Sequence, residues 1–244
     1  MSRILEKLLE ERSYGLKGGL FHKTQVNLTY NTNRIEGSKL TEEQTRYIFE
    51  TKTIGFGADG LPVDDIIETS NHFRCFDYLL DTIELPLSVD IIKEFHKILK
   101  NGTSDSYKDY FNVGNWKKIP NEVGNVETSR PENVDNDMKK LLKNYLDRTV
   151  ITFDDIIAFH FEFEIIHPFQ DGNGRVGRLI MFRECLKNDI VPFIIEYEMR
   201  LFYYRGLSEF KNEQGYLRDT CLAAQDTYKA WINYFYPEIK VSDG

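Results

Sequence analysis

The chain has 244 residues, 41% of them apolar and 29% charged, a composition that excludes a mainly disordered or collagen-like protein. Asp and Glu outnumber Lys and Arg by 39 to 31, for a net charge of −8, so no overall basic field draws the chain to nucleic acid or to an anionic membrane. Cys75, Cys185 and Cys221 are widely spaced and odd in number, as free thiols in a reducing compartment would be. With no signal-like or membrane-spanning apolar run, a cytoplasmic location is expected.

Ile4, Leu5, Leu8 and Leu9 predict a short amphipathic helix ahead of a break at Gly15 to Gly19. A second helix is expected from Leu20 to Ile35. Glu36-Gly37 closes it, because glycine takes a left-handed cap at little cost. Thr41-Glu-Glu-Gln44 is a capping box that opens a helix through Glu50, and Asp64 to Leu80 and Val89 to Leu99 carry further helical stripes. Val113 to Pro131 differs. Gly114, Pro120, Gly124 and Pro131 punctuate short runs such as Lys117 to Ile119 and Asn125 to Glu127, which predicts a small hairpin. Helical period returns over Asp135 to Leu146 and Phe153 to Ile166, then over Arg175 to Lys187, Tyr203 to Phe210 and Thr220 to Tyr236. The expected fold is all-α, a single helical bundle with one β-hairpin. It divides into an N-terminal helical extension over 1–50, a core over 51–210 and a C-terminal helical tail over 211–244.

The densest chemistry lies between two of these helices, in His167-Pro-Phe-Gln-Asp-Gly-Asn-Gly-Arg-Val-Gly-Arg178. Gly172 and Gly174 let backbone N–H groups turn inward at a helix start, which makes an anion cradle suited to phosphate. Arg175 and Arg178, three residues apart, can aim charged donors at the same anion. Asp171 is a hard oxygen ligand of the kind Mg²⁺ takes when it is shared with a di- or triphosphate. His167 can accept a proton from a hydroxyl. Together these pieces suit transfer of part of a nucleotide to an alcohol. His22, His72, His96 and His160, isolated on apolar helices, read as structural.

This stretch resembles the signature of the Fic (fido) family, H-x-F-x-[DE]-G-N-G-R-x-x-R, and matches every specified position. The resemblance implies an enzyme of the Fic-type bundle that transfers AMP from ATP to a Ser, Thr or Tyr hydroxyl of a target protein or of itself, releasing pyrophosphate. It casts His167 as general base, Phe169 as a core anchor and Asp171 as the Mg²⁺ ligand. Asp171, Gly172, Asn173, Gly174, Arg175, Val176, Gly177 and Arg178 would be the nucleotide-binding segment. Glu122, Val123, Gly124 and Asn125 would form the tip of the flap that clamps a target by strand addition, and Tyr203 and Tyr204 would pack around adenine. Thr32-Asn-Arg-Ile-Glu36-Gly37 is similar to the family's inhibitory motif [ST]-x-x-x-E-[GN], with Glu36 expected to pair bidentately with Arg178. Many relatives dimerise, so a homodimer is among the expected partners. The alternatives on the same residues are transfer of another nucleotide, phosphotransfer, removal of AMP, or a nucleotide-binding regulatory module.

Overall fold

Thr152 accepts a hydrogen bond from the Asp155 amide while the Asp155 side chain accepts from the Thr152 amide, a reciprocal cap that starts the helix over Phe153–Ile166. Proline at 168 disfavours the right-handed helical region for the residue before it, and His167 leaves that helix with φ 50°. Gly172, with φ 81°, then turns the chain into the helix over Asn173–Lys187. These two helices frame the polar stretch.

The computed structural model describes residues 3–55, 60–123 and 126–240. In chain order the described elements are α1 (Arg3–Tyr14), α2 (Leu20–Ile35), α3 (Glu42–Thr51), α4 (Val63–Asp81) and α5 (Val89–Lys100), then β1 (Glu122–Val123) and β2 (Val126–Glu127). They continue with α6 (Val134–Leu146), α7 (Phe153–Ile166), α8 (Asn173–Lys187), α9 (Arg200–Glu209) and α10 (Gly215–Phe235). The fold is all-α apart from the antiparallel β1–β2 pair, in which Glu122 faces Glu127 and Val123 faces Val126. No helix among the described residues is long and apolar enough to cross a membrane.

Helix α8 is the hub. Val176, Leu179, Ile180, Phe182 and Cys185 are all buried, and α8 touches α2, α4, α5 and α7. Such all-round burial belongs to the central helix of a bundle, whose every face is covered by another helix. Phe182 meets Phe76 of α4 and Tyr228 of α10 edge-on, with ring centroids 5.5 and 5.7 Å apart. One connected apolar cluster runs from Ile4 to Ile239, so the first and last helices share the core of the middle ones.

Helix α2 buries a polar face, and most side chains on it find a partner, as buried polar groups require. Thr24 is bonded to Tyr228 and Thr29 to His72, each at 2.8 Å, and Asn31 Oδ1 accepts from the Tyr197 amide at 2.9 Å. At its start the buried Glu11 carboxylate accepts from the Leu20 and Phe21 amides at 3.1 and 2.6 Å and from the Tyr236 hydroxyl. This carboxylate, supplied from α1 to the first turn of α2, satisfies two free helix donors and complements the dipole.

The elements expected from sequence are present with shifted boundaries; α8 starts at Asn173 and α9 at Arg200, ahead of Arg175 and Tyr203. The capping box at Thr41 and Gln44 forms, but α3 continues to Thr51. Helix α10 starts at Gly215, ahead of Thr220. The first hairpin strand is Glu122–Val123 instead of the run at Lys117 to Ile119, because the Lys117 amide donates to the Pro168 carbonyl at 2.8 Å and docks that run on the motif loop. Gly124 and Asn125, expected at the flap tip, lie outside the described residues. The three cysteines are free and buried.

Candidate active site

A cavity of about 660 Å³ opens where α7, α8, α9, the end of α2 and the hairpin converge. His167, Glu164, Gly174, Arg178, Glu36, Val123, Thr128, Tyr203 and Tyr204 are among its lining residues. A concave, largely apolar space with a few convergent charged groups is where a ligand site is expected. Residues from positions 36 to 208 thus meet around one volume.

Phe169 anchors the loop. It is fully buried and stacks on His96 with ring centroids 4.0 Å apart and an interplanar angle of 8°, with Trp116 at 5.3 Å. Asn173 fastens it from the other side, accepting from the Phe169 amide at 2.8 Å and donating to the Phe169 carbonyl at 2.9 Å. Both polar ends of the Asn173 side chain are thereby committed to the loop. The start of α8 remains available to an anion through its backbone N–H groups.

Arg178 is buried and shared. Its Nε donates to Thr32 Oγ1 at 2.5 Å, and Nη2 donates to the Thr32 carbonyl at 3.2 Å and to Glu36 Oε1 at 2.5 Å. Nη1 reaches the Tyr203 hydroxyl at 3.4 Å. The bidentate Glu36–Arg178 pair expected from sequence is therefore not formed. Glu36 takes one arm of the guanidinium, and the inward-facing Thr32, one helical turn earlier, takes Nε and shares that arm. Gly37 follows with φ 98°, the left-handed value that ends α2. Tyr204 Oη donates to the Ile35 carbonyl at 3.1 Å.

Arg175 turns away from this cavity. It pairs with Glu68 of α4 and, at 2.9 Å, with Asp171 Oδ2, while Lys100 of α5 lies 2.6 Å from Glu68, 3.0 Å from Asp105 and 2.7 Å from Asp171. Two cations and three carboxylates thus form one cluster beneath the loop. Burial pushes the Asp171 carboxyl up, but Arg175 and Lys100 outweigh it and hold the group well below the usual carboxylate range. Its side chain stays 47% exposed. Among the described residues no three His, Cys, Asp or Glu side chains gather as a metal cage.

His167 is largely buried. Burial and the Lys117 ammonium push its imidazole down to about 4, so it is neutral and able to accept a proton near pH 7. Glu164, three residues earlier on α7, places Oε2 3.8 Å from His167 Nδ1; burial pushes this carboxyl up to about 8, with Glu36 raising it and Arg178 opposing. His160 Nε2 is hydrogen-bonded to Tyr203 Oη at 2.7 Å. Gly177 makes room for both groups. A Cβ there would stand 2.7 Å from the His160 ring and 2.9 Å from Glu164 Oε1. Val176 is buried in the core behind them.

The structure brings His167, Gly174, Arg178, Tyr203, Tyr204, Val123, Thr32 and Glu36 together, and sets Asp171 and Arg175 in the adjoining ionic cluster. Sequence reading missed Glu164, His160, Lys100, Glu68 and Lys117. Glu164 carried a local signal, since a carboxylate three residues from a histidine shares its helix face. His160 lies one turn before Glu164 on the same helix, and Lys100, Glu68 and Lys117 are contributed by distant segments.

A buried helix start, a neutral histidine and an arginine facing one cavity are the outline of a phosphate-binding transfer site. Residues 86–185 match the Fic/DOC family model. It is 28% identical over 193 residues to "Protein adenylyltransferase fic-1" of Caenorhabditis elegans, covering 77% of this chain and 37% of that protein. To "Protein adenylyltransferase Fic" of Nematostella vectensis it is 26% identical over 187 residues, 74% of this chain and 42% of that protein. The chain thus spans less than half the length of these curated relatives. Among solved structures, a Fic domain containing signaling protein from Bacteroides thetaiotaomicron superposes with a TM-score of 0.72 at 22% identity, covering 94% and 90% of the two chains. Fic-1 from C. elegans superposes at 0.75 and 20% identity, covering 97% of this chain and 72% of that one. These superpositions carry the fold.

Proposed function

We propose that the chain is a protein adenylyltransferase whose N-terminal helix restrains it, moving AMP from ATP to a hydroxyl of a protein, its own chain included. The observation that carries this reading is the sharing of Arg178 between Thr32 and Glu36 at the wall of the cavity that holds His167. The named curated relatives and the family match support the adenylyl chemistry.

In this reading the triphosphate lies against the backbone at the start of α8, where free N–H groups and the helix dipole favour anions. Arg178, once free of Glu36, grips the terminal phosphates. Tyr203 and Tyr204 border the base. His167 takes the proton of the acceptor hydroxyl as that oxygen bonds to the α-phosphorus and pyrophosphate leaves, a role worth about 10²–10⁴-fold. The flap hairpin presents the target by strand addition. The ionised, half-exposed Asp171 carboxylate is a fitting donor for a Mg²⁺ shared with the phosphates, and Asp171 would hold that ion. The ion would neutralise charge on the leaving pyrophosphate. With Glu36 on Arg178, the terminal phosphates lose their grip and the α-phosphorus is misaligned for in-line attack. The site residues sit inside one chain of net acidic charge, and a cytoplasmic setting with protein partners fits that reading.

Labelling with α-phosphate-tagged ATP tests the reading. Glu36→Gly is expected to raise incorporation at least about tenfold, the equivalent of about 1.4 kcal/mol. His167→Ala in that background is expected to abolish incorporation while nucleotide binding persists. Equal labelling by the two variants would overturn it.

A further inference from the structure

Lys117 sits at the base of the flap with only 2% of its surface exposed, and its ammonium meets neutral oxygens alone. It donates to Asn121 Oδ1 and Thr128 Oγ1, both at 2.6 Å, and to the Ile166 carbonyl at 3.3 Å. No carboxylate among the described residues pairs with it. A buried cation without a counter-ion is unfavourable unless its charge serves its surroundings.

Its surroundings are the backbone on both sides of His167. The Ile166 carbonyl is a free acceptor at the C-terminus of α7, where a cation is favoured. The Lys117 amide holds the Pro168 carbonyl at 2.8 Å, and Asn121 Nδ2 holds the Phe169 carbonyl at 3.0 Å. Thr128 Oγ1 in turn donates to the Asn121 carbonyl at 2.8 Å, closing the knot across the strands of the hairpin. His167 lies inside these three tethered carbonyls with φ 50°, a left-handed conformation that a non-glycine residue keeps only when its neighbours enforce it.

We infer that Lys117 is a positioning residue for the transfer reaction: with Asn121 it fixes His167 relative to the flap and keeps the base beside the hydroxyl that the flap delivers. The inference rests on the adenylyltransferase reading for its functional meaning. The same hairpin that binds the acceptor backbone thus carries, on its own stem, the ties that set the base. The charge has a second effect, because an ammonium beside the imidazole disfavours its protonation. The titratable and charged groups around that ring are Lys117 from the flap stem, Glu164 from α7, Glu36 from the end of α2 and Asp171 from the loop, and of these only Lys117 opposes protonation.

Two variants separate placement from charge, each made in the Glu36→Gly protein. Lys117→Met removes the ammonium and keeps an apolar stem; Asn121→Ala removes the Phe169 tie and keeps the charge. For Lys117→Met, NMR titration of the His167 ring is expected to show protonation at a pH about one unit higher, with the transfer rate constant down about a hundredfold and ATP affinity within about threefold. For Asn121→Ala, a comparable loss of rate is expected with the His167 titration unmoved. An unshifted His167 titration in Lys117→Met, or full transfer rates in both variants, would overturn the inference. Should Glu36→Gly protein itself transfer nothing, the proposed function fails, and the His167 titration still decides the placement of Lys117 by itself.

Discussion

Tyr204 Oη donates to the Ile35 carbonyl at 3.1 Å, tying α9 to the last turn of α2 directly before Glu36. One side chain that borders the cavity thereby also holds the helix end that restrains Arg178. A hydrogen bond of this type contributes about 0.5–1.5 kcal/mol. Tyr204→Phe keeps the ring and loses the tie, so basal AMP labelling is expected to rise about two- to tenfold, less than in Glu36→Gly. Unchanged labelling in Tyr204→Phe beside an activated Glu36→Gly would show that the tie carries no restraint.

Gly177 offers a second test, because its missing Cβ is filled space. Gly177→Ala brings a methyl group to 2.7 Å from His160 and 2.9 Å from Glu164, in a part of α8 with no room to relax. Overpacking of this kind costs about 1–3 kcal/mol. The urea midpoint is expected to fall with an unchanged slope, and transfer to fall with it, since the displaced groups adjoin Tyr203 and His167. A variant as stable as the parent would mean that His160 and Glu164 can move aside freely.

Lys100 is the buried keystone of the cluster under the motif loop. Lys100→Met leaves Glu68 and Asp171 with Arg175 as their remaining cation, and Asp105 with the half-exposed Lys108. Removing one partner from a buried ionic cluster typically costs about 3–5 kcal/mol, and partial exposure of Asp171 lowers that to about 2–4. The melting temperature is expected to drop by about 4–16 °C. Lys97→Met, which breaks an exposed pair with Glu94, is the control and should move it by less than about 4 °C.

Stability against pH follows from the buried histidines. Burial, with nearby cations adding to it, pushes His72, His96 and His160 down to about 3, and His167 lies at about 4. Unfolding releases them to the ordinary value of 6.5, so below pH 6.5 the unfolded chain binds more protons and stability falls, by about 1.4 kcal/mol per pH unit for each histidine. Glu164 opposes this: at about 8 when folded and 4.5 when unfolded, it makes stability fall as pH rises between those values. Burial raises the Asp77, Glu184 and Glu196 carboxyls in the same sense, but with four histidines on the acid side the maximum is expected near pH 6.5. Calorimetry across pH 4–8 should show the steeper side on the acid limb, and a flat profile from 4 to 6.5 would contradict neutral buried histidines.

The parts of the fold legible in the sequence were those governed by neighbours along the chain. Phe153–Ile166 was readable to the residue because Thr152 caps it and Pro168 ends it, and Gly172 marks the turn into α8. The run at Lys117 misled because its partner is the Pro168 carbonyl, a contact across the fold that no local pattern records. Arg175 misled for the same reason. Its spacing from Arg178 suggested a shared anion, yet its partner Glu68 stands 107 residues earlier on another helix. Glu36 and Arg178 were brought together by resemblance to a known motif, and the role of Thr32 in splitting that contact emerged only from the packing of α2 on α8.

Helix α2 is fastened along its whole length, by Glu11 at its first turn and by Thr24, Thr29 and Asn31 beyond it. Withdrawing it would break every one of those bonds, whereas Glu36, just past its end and partly exposed, can leave Arg178 by turning about its own side-chain torsions. Such rotations take picoseconds to nanoseconds, far faster than enzymatic turnover. On the proposed reading of a restrained adenylyltransferase, the protein should therefore run at a constant low rate from its first encounter with ATP, showing neither lag nor burst, with that rate set by the fraction of time for which Glu36 is turned away.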